Sequence, residues 1–187
     1  NPFYQIYAMD ADGANLHRVS TGVGKTTCAY FRPDGKKIIY ASTHLDPDAA
    51  KKEEEARNAG EAPRDKKYQW DFDEQFDIFE ANPDGSELKR LTDAAGYDAE
   101  GSYSHDGKKI CFTSKRDGDA EIYVMDADGG NPKRLTSHAG YDGGPFFSPD
   151  DSKVIFRRFA ADGRACNPCV INADGTGERA LLEGDTV

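Results

Sequence analysis

Two tyrosine–aspartate pairs, Tyr97-Asp98 and Tyr141-Asp142, stand 44 residues apart, and Glu100 follows the first of them. Carboxylates placed this way can bind a cation or a basic peptide group. They can equally accept backbone N–H bonds and tie neighbouring elements together. Arg116 and Asp117 read as an ion pair between neighbouring units. A second group, Tyr68, Trp70 and Phe72, sets aromatics at alternating positions among acids. Such residues either meet a partner and close a channel, or anchor a long loop onto its own domain. Cys166 and Cys169 form a lone Cys-x-x-Cys around Asn-Pro. Zinc would require a second pair or suitably spaced histidines, and thiol exchange would require a βαβ setting. A local disulfide, with Pro168 bending the strand entrance, is the chemistry left for an oxidising compartment. Cys28 and Cys111 fall inside strand runs and read as small buried hydrophobes.

Several catalytic patterns fail on inspection. Gly22 to Thr27 (GVGKTT) is similar to a phosphate-binding loop, but Val19 stands where the earlier glycine belongs, and a strand follows instead of a helix. Ser104-His105-Asp106 holds the letters of a triad, yet consecutive turn residues cannot build the required hydrogen-bond chain. The Asp-x-Asp-Gly segments put Gly13 and Gly129 at position four, whereas a calcium loop needs glycine at six and glutamate at twelve. His17, His44, His105 and His138 are scattered and form no ligand set. No catalytic residue, metal or cofactor is expected from these patterns.

The elements that position the candidate residues follow from repetition. Ile6–Ser20 (IYAMDADGANLHRVS), Ile78–Thr92 (IFEANPDGSELKRLT) and Ile122–Thr136 (IYVMDADGGNPKRLT) are copies of one cassette, and Val170–Leu182 is a worn fourth. A second cassette is Phe31–Ser42 (FRPDGKKIIYAS), Tyr103–Ser114 (YSHDGKKICFTS) and Phe147–Arg158 (FSPDDSKVIFRR). The turn glycines Gly13, Gly85, Gly129 and Gly175 lie 72, 44 and 46 residues apart; Gly35, Gly107 and Asp151 lie 72 and 44 apart. Both series carry the same excess of 28 residues, so one insertion lies between Ser42 and Phe76. Each period holds four short strands joined by Asp-Gly turns, where glycine supplies the positive φ. Asp151 breaks that rule. Runs such as Ile38-Ile39-Tyr40 and Val154-Ile155-Phe156 are apolar on both faces, which fits sheets packed between sheets. Four-stranded units at a period of about 40–50 residues indicate propeller blades.

The segments YVMDADGGNPKRLT, GYDGGPFFSPDDSKVIF and SYSHDGKKICFTSKRDGDAEIY resemble the WD-type β-propeller repeats of TolB-like proteins. The resemblance implies an all-β propeller of four-stranded antiparallel blades, in a periplasmic or secreted scaffold that docks proteins or peptides on one face. About 3.6 blades are present, a partial propeller carrying one partly helical insertion. Residues 1–21 hold the outer strands of a first blade, 22–93 a second with the insertion at 43–75, 94–137 a third and 138–183 a fourth. TolB-like propellers typically have six blades, so the chain reads as a piece of a ring, completed or covered by other chains or by further segments of its own.

Antiparallel order then separates two faces. One carries only tight repeated turns. The other carries the insertion, Lys115–Asp119, Arg157–Arg164 and the Gly-Tyr-Asp links at 96–98 and 140–142. Binding residues concentrate on irregular loops held by a rigid scaffold, so Tyr68, Trp70, Phe72, Tyr97, Asp98, Glu100, Arg116, Tyr141 and Asp142 are the candidates. Within the insertion, AAKKEEEARNAGEA has helix-forming composition, with Gly60 and Pro63 to stop it.

Composition narrows the partner. Of 187 residues, 34 are acidic and 24 basic, a net charge of −10. That surface repels phosphate backbones and anionic lipid, so no nucleic acid is expected. No stretch approaches the about 20 apolar residues of a membrane-spanning helix, so no membrane insertion is expected. The start, Asn-Pro-Phe-Tyr, is not a signal peptide and reads as a mature or trimmed end. A non-enzymatic protein- or peptide-binding module is the first expectation. The alternatives are the access-filtering propeller of a prolyl-oligopeptidase-like hydrolase, and a metal-assisted hydrolase or lyase in the channel.

Overall fold

A computed structural model describes residues 3–58, 72–160 and 166–182. The first sheet is a two-stranded hairpin, β1 (Tyr7–Ala8) with β2 (His17–Arg18). Three four-stranded antiparallel sheets follow in sequence order. They are β3 (Thr26–Phe31), β4 (Ile38–Ser42), β5 (Asp77–Ala81), β6 (Lys89–Arg90); then β7 (Asp98–Tyr103), β8 (Lys109–Ser114), β9 (Glu121–Asp126), β10 (Lys133–Arg134); then β11 (Tyr141–Phe147), β12 (Lys153–Phe159), β13 (Cys166–Asn172), β14 (Arg179–Ala180). This is a partial β-propeller: three full blades and the outer half of another. The insertion between β4 and β5 forms α1 (Ala49–Asn58); Gly60 and Pro63, expected to end it, lie outside the described residues.

The doubly apolar strand runs have a direct explanation. Successive side chains of a strand point to opposite faces, and here each face meets a different neighbouring sheet. Ile38 enters a core with Val19, Tyr40, Phe79 and Ala81. Ile39 enters the next, with Ile78, Tyr103, Ile110 and Phe112. Cys111 and Ile122 turn to a third, with Phe147, Val154 and Phe156. At the last sheet the alternation runs out of neighbours: Val154 is buried, while Ile155 is 41% exposed.

Backbone bonds repeat with the same spacing. The amides of Thr26, Asp98 and Asp142, one in each inner strand, donate to the carbonyls of Tyr4, Phe76 and Ala120 in the preceding blade, at 3.2, 2.9 and 2.9 Å. The hydroxyls of Ser20, Thr92 and Thr136 accept the amides of Ile6, Ile78 and Ile122 at 3.0, 2.9 and 2.9 Å. Those bonds give the recurring Ser/Thr at the end of the cassette its role.

The tight-turn face is self-satisfied. Lys89 Nζ donates to the carbonyl of Asp128 in the next blade at 2.8 Å, and Lys133 Nζ to that of Asp174 at 2.6 Å. In the hairpin the same position is His17, whose Nε2 lies 3.0 Å from the carbonyl of Pro83. Asp151 does adopt a left-handed backbone, φ 59°. Its carboxylate accepts the amides of His105 and Asp106 in the preceding blade at 2.7 and 2.9 Å. The interblade bonds offset a backbone conformation that glycine would reach more cheaply. A cleft of about 350 Å³ opens on this side between the last two blades. Its lysines are already engaged, Lys109 by Asp126 at 2.5 Å and Lys133 as above.

Candidate functional site

The irregular face is built around one shared distortion. Each inner strand breaks register against its partner: β3 between Thr27 and Tyr30, β7 between Ala99 and Ser102, β11 between Gly143 and Phe146. A bulge re-aims a side chain and sharpens local twist. In all three blades one residue of the bulge is left-handed: Cys28 (φ 54°), Glu100 (φ 58°) and Gly144 (φ 62°). They stand 72 and 44 residues apart, the register of the turn glycines.

Glu100 turns this distortion into a joint. Its carboxylate accepts Thr113 Oγ1 of its own blade at 2.9 Å. From the next blade it accepts the Tyr141 hydroxyl, at 2.8 Å to Oε1 and 2.7 Å to Oε2, and the Gly144 amide at 2.6 Å. Glycine suits position 144 by its left-handed backbone, while a Cβ there would stand 2.9 Å from Arg157 Nη2, the far end of a flexible side chain. Cys28, expected in the core, is an exposed residue of its bulge. Desolvation of the sulfur by the surrounding protein pushes its thiol up against the hydrogen bond with Thr27, and the Glu100 charge adds to the rise. A thiol held protonated is a poor nucleophile.

Above the bulges runs a ladder of rings. Phe72, from the end of the insertion, meets Tyr97 at 5.3 Å edge-on and Tyr141 at 5.6 Å. Tyr97 packs on Phe76 at 5.8 Å, and Tyr141 on Phe159 at 5.6 Å. Aromatic pairs at such separations contribute beyond the area they bury. Lys115 Nζ stands 5.0 Å from the Phe72 ring centre, a cation–π distance. The insertion is tied to its blade next to this ladder by Lys25, whose Nζ reaches Asp73 at 3.0 Å, while Lys52 Nζ reaches Asp46 at 2.6 Å within the insertion itself. The rings of Tyr30 and Phe146 meet at 6.1 Å, so the first and third full blades touch.

The predicted residues thus divide. Phe72, Tyr97, Glu100 and Tyr141 come together; Tyr97 is buried, and the other three are half-buried. Asp98 and Asp142 are fully buried and serve as struts within their blades. Arg116 Nη2 meets Asp98 at 2.9 Å and stacks over Phe112 and Tyr123 at 5.3 and 4.9 Å. Arg158 holds Asp142 by two bonds of 2.8 and 2.6 Å. Desolvation pushes both carboxyls above the usual range against the pull of these arginines. Asp98 and Asp142 thus bond arginines of their own blades, not the backbone N–H groups of a neighbour that the structural reading named; among these acids it is Glu100 that ties two blades together. The Arg116/Asp117 expectation needs correcting: both residues bond within one blade, Asp117 to Tyr123 and Arg134. The Cys166–Cys169 disulfide is also overturned, since no disulfide joins them. Both lie on β13, and three extended residues span about 10 Å, beyond the reach of a disulfide. An odd separation also turns the two sulfurs to opposite faces. Tyr68 and Trp70 lie outside the described residues. Lys115, Arg157 and the bulge residues Cys28 and Gly144 were not among the site residues expected from sequence, where Cys28 reads as a core residue. Aligning the cassettes one strand further inward would have found positions 28, 100 and 144.

Among the described residues no cluster of His, Cys, Asp or Glu could hold a metal ion, and no helix is long and apolar enough to cross a membrane.

Residues 62–185 match the family described as the tricorn protease N-terminal β-propeller domain. The chain belongs to that family. Solved structures agree on the fold. A TolB-assigned structure from Agrobacterium tumefaciens superposes with a TM-score of 0.74 at 24% identity, over 96% of this chain and 57% of that one. TolB from Acinetobacter baumannii gives 0.66 at 22%, over 95% and 37%. A puromycin hydrolase gives 0.59 at 12%, over 92% and 25%. The chain therefore spans little more than half of the first of these and about a third of the second. No curated protein sequence matches.

Proposed function

We propose that the chain is a non-enzymatic binding module, docking a protein or peptide on the face that carries the insertion and the interblade links. The observation that supports this most is the Phe72–Tyr97–Tyr141–Phe159 ladder, flanked by the Glu100 carboxylate and the Lys115 cation, with Arg157 beside Gly144. Aromatic anchors ringed by polar groups are the composition of interface hot spots. The opposite face, by contrast, spends its polar groups on its own turns. The TolB-like fold supports a periplasmic or secreted setting. Apolar side chains left open on the hairpin (Tyr7, Met9, Leu16) and on the last sheet (Ile155, Leu181, Leu182) support completion by further blades or other chains.

Affinity capture from the native source, with mass spectrometry, tests the docking face. Tyr68→Ala with Trp70→Ala should reduce the captured partner at least tenfold while the circular dichroism stays unchanged. Lys36→Glu, on an exposed tight turn, should leave capture intact. Equal capture by the Tyr68/Trp70 variant would remove the insertion as the docking element.

A second reading rests on the matched family itself, which is described as the propeller of a protease. On that reading the propeller filters access to a catalytic domain elsewhere in a longer chain. A Gly-x-Ser-x-Gly segment in the full reading frame would favour it.

A further inference from the structure

We propose that His17 makes the first blade junction a proton-operated clip, which holds the β1–β2 hairpin on its neighbour when the imidazole is charged and loosens it when the ring is neutral. The geometry comes first. Both ring nitrogens face carbonyl oxygens, Nδ1 that of Asn15 at 2.7 Å and Nε2 that of Pro83 across the junction at 3.0 Å. A carbonyl only accepts, and a neutral imidazole has a single N–H. One of the two contacts would then set lone pair against lone pair. Only imidazolium satisfies both.

The repeat supplies the comparison. His17, Lys89 and Lys133 occupy one register, and each reaches the Asp-Gly turn of the blade that follows. In two junctions the reaching group is an ammonium that stays charged at every physiological pH. In the first it is the one side chain whose ordinary pKa lies in that range.

The groups around the ring favour its charge. The carbonyl contacts to Asn15 and Pro83 raise the pKa most, and desolvation of the ring opposes them; Asp84 on the neighbour's turn and Asp10 on the hairpin's own turn then add to the rise. Glu87 on the neighbour's turn is held by Lys37 at 2.8 Å, and the Arg18 guanidinium packs against Gly22. The folded pKa is raised above 6.5. The clip's contribution is therefore complete below the unfolded value and is lost as pH climbs through the folded one. The hairpin depends on docking, because two strands of two residues are not stable alone. Its contact is the packing of Ile6, Ala8 and Val19 on Ile38, Tyr40, Phe79 and Ala81.

Histidine-resolved NMR titration of the full chain, with amide exchange of Ile6 and Val19 between about pH 5 and pH 8, tests this. Val19 donates to the carbonyl of Ile6 and Ile6 to Ser20 Oγ, so both amides report undocking. The His17 midpoint should lie above 6.5. Protection factors should fall with rising pH by about tenfold for each unit between that midpoint and the unfolded value. His17→Lys should hold protection flat and high, and His17→Gln flat at the wild-type level of high pH. A midpoint at or below 6.5, or a His17→Lys variant with the wild-type decline, overturns the proposal. The wild-type midpoint decides even where a variant fails to fold.

Discussion

Removing one hydroxyl, with Tyr141→Phe, tests whether Glu100 joins two blades or merely fills space between them. The phenol donates to both carboxylate oxygens, at 2.8 and 2.7 Å, and Thr113 and the Gly144 amide remain as donors when it is gone. A hydrogen bond to a charged acceptor contributes about 1.5–3 kcal/mol. Both partners are half-buried and two donors survive, so the lower end, about 1.5 kcal/mol, is expected. For a chain of this length that lowers the thermal midpoint by about 3–6 °C. Glu100→Gln keeps the chain length and the left-handed backbone but removes the charge, and should cost about 2 kcal/mol. The double variant decides the matter. If the two residues act through one bond, their losses overlap by about 1 kcal/mol in a denaturant-derived cycle. A coupling under about 0.5 kcal/mol, the range of independent sites, would refute the joint and reduce the bulge to local geometry.

Two other outcomes follow from the blade contacts. Gly13 and Gly129 share a positive φ, but a Cβ at Gly13 meets nothing within 4 Å, whereas one at Gly129 would stand 2.6 Å from the carbonyl of Leu91. In chemical denaturation Gly13→Ala should cost about 1–2 kcal/mol for its backbone alone, and Gly129→Ala about 1–3 kcal/mol more for displacing the neighbouring blade; equal losses would show that the glycines serve only their turns. Asp34, Asp106 and Asp150 accept bonds inside their own turns and are held at about 2, Asp34 mainly by Arg32, Asp106 by the Lys108 amide and Asp150 by Ser148. Their stabilisation is present above the unfolded pKa and lost as pH falls towards about 2, so Asp106→Asn should flatten the acid limb of a stability–pH curve, and an unchanged limb would place that dependence elsewhere.

The blades were legible because two independent cassettes returned the same periods and the same excess of 28 residues. Strand alternation then had to place Ile38 and Ile39 in different cores, as it does. The candidate site was legible only as a region. Tyr97, Glu100 and Tyr141 converge because the bulges carry them there, and nothing in the local sequence of Ala99-Glu100-Gly101 announces a left-handed glutamate. Asp98 resembled Glu100 in type and position, yet the intervening register break sends one inward to Arg116 and the other across to the next blade. The cysteines failed for the same reason: Cys-x-x-Cys spacing means proximity in a turn and separation on a strand. Asp151 looked like a worn glycine until its interblade bonds gave the departure a purpose.

Because the first two full sheets each lend their two faces to two different cores, neither blade has a core of its own. Folding free energy in such an arrangement accumulates by nearest neighbours, and the chain unravels from its ends like a stack. Among the described sheets the hairpin, with its two-residue strands, forms the shallowest step of that staircase. It can open and reclose as a local unit while the three full blades stay ordered, so a docking event could act on it without unfolding the face that carries the ring ladder.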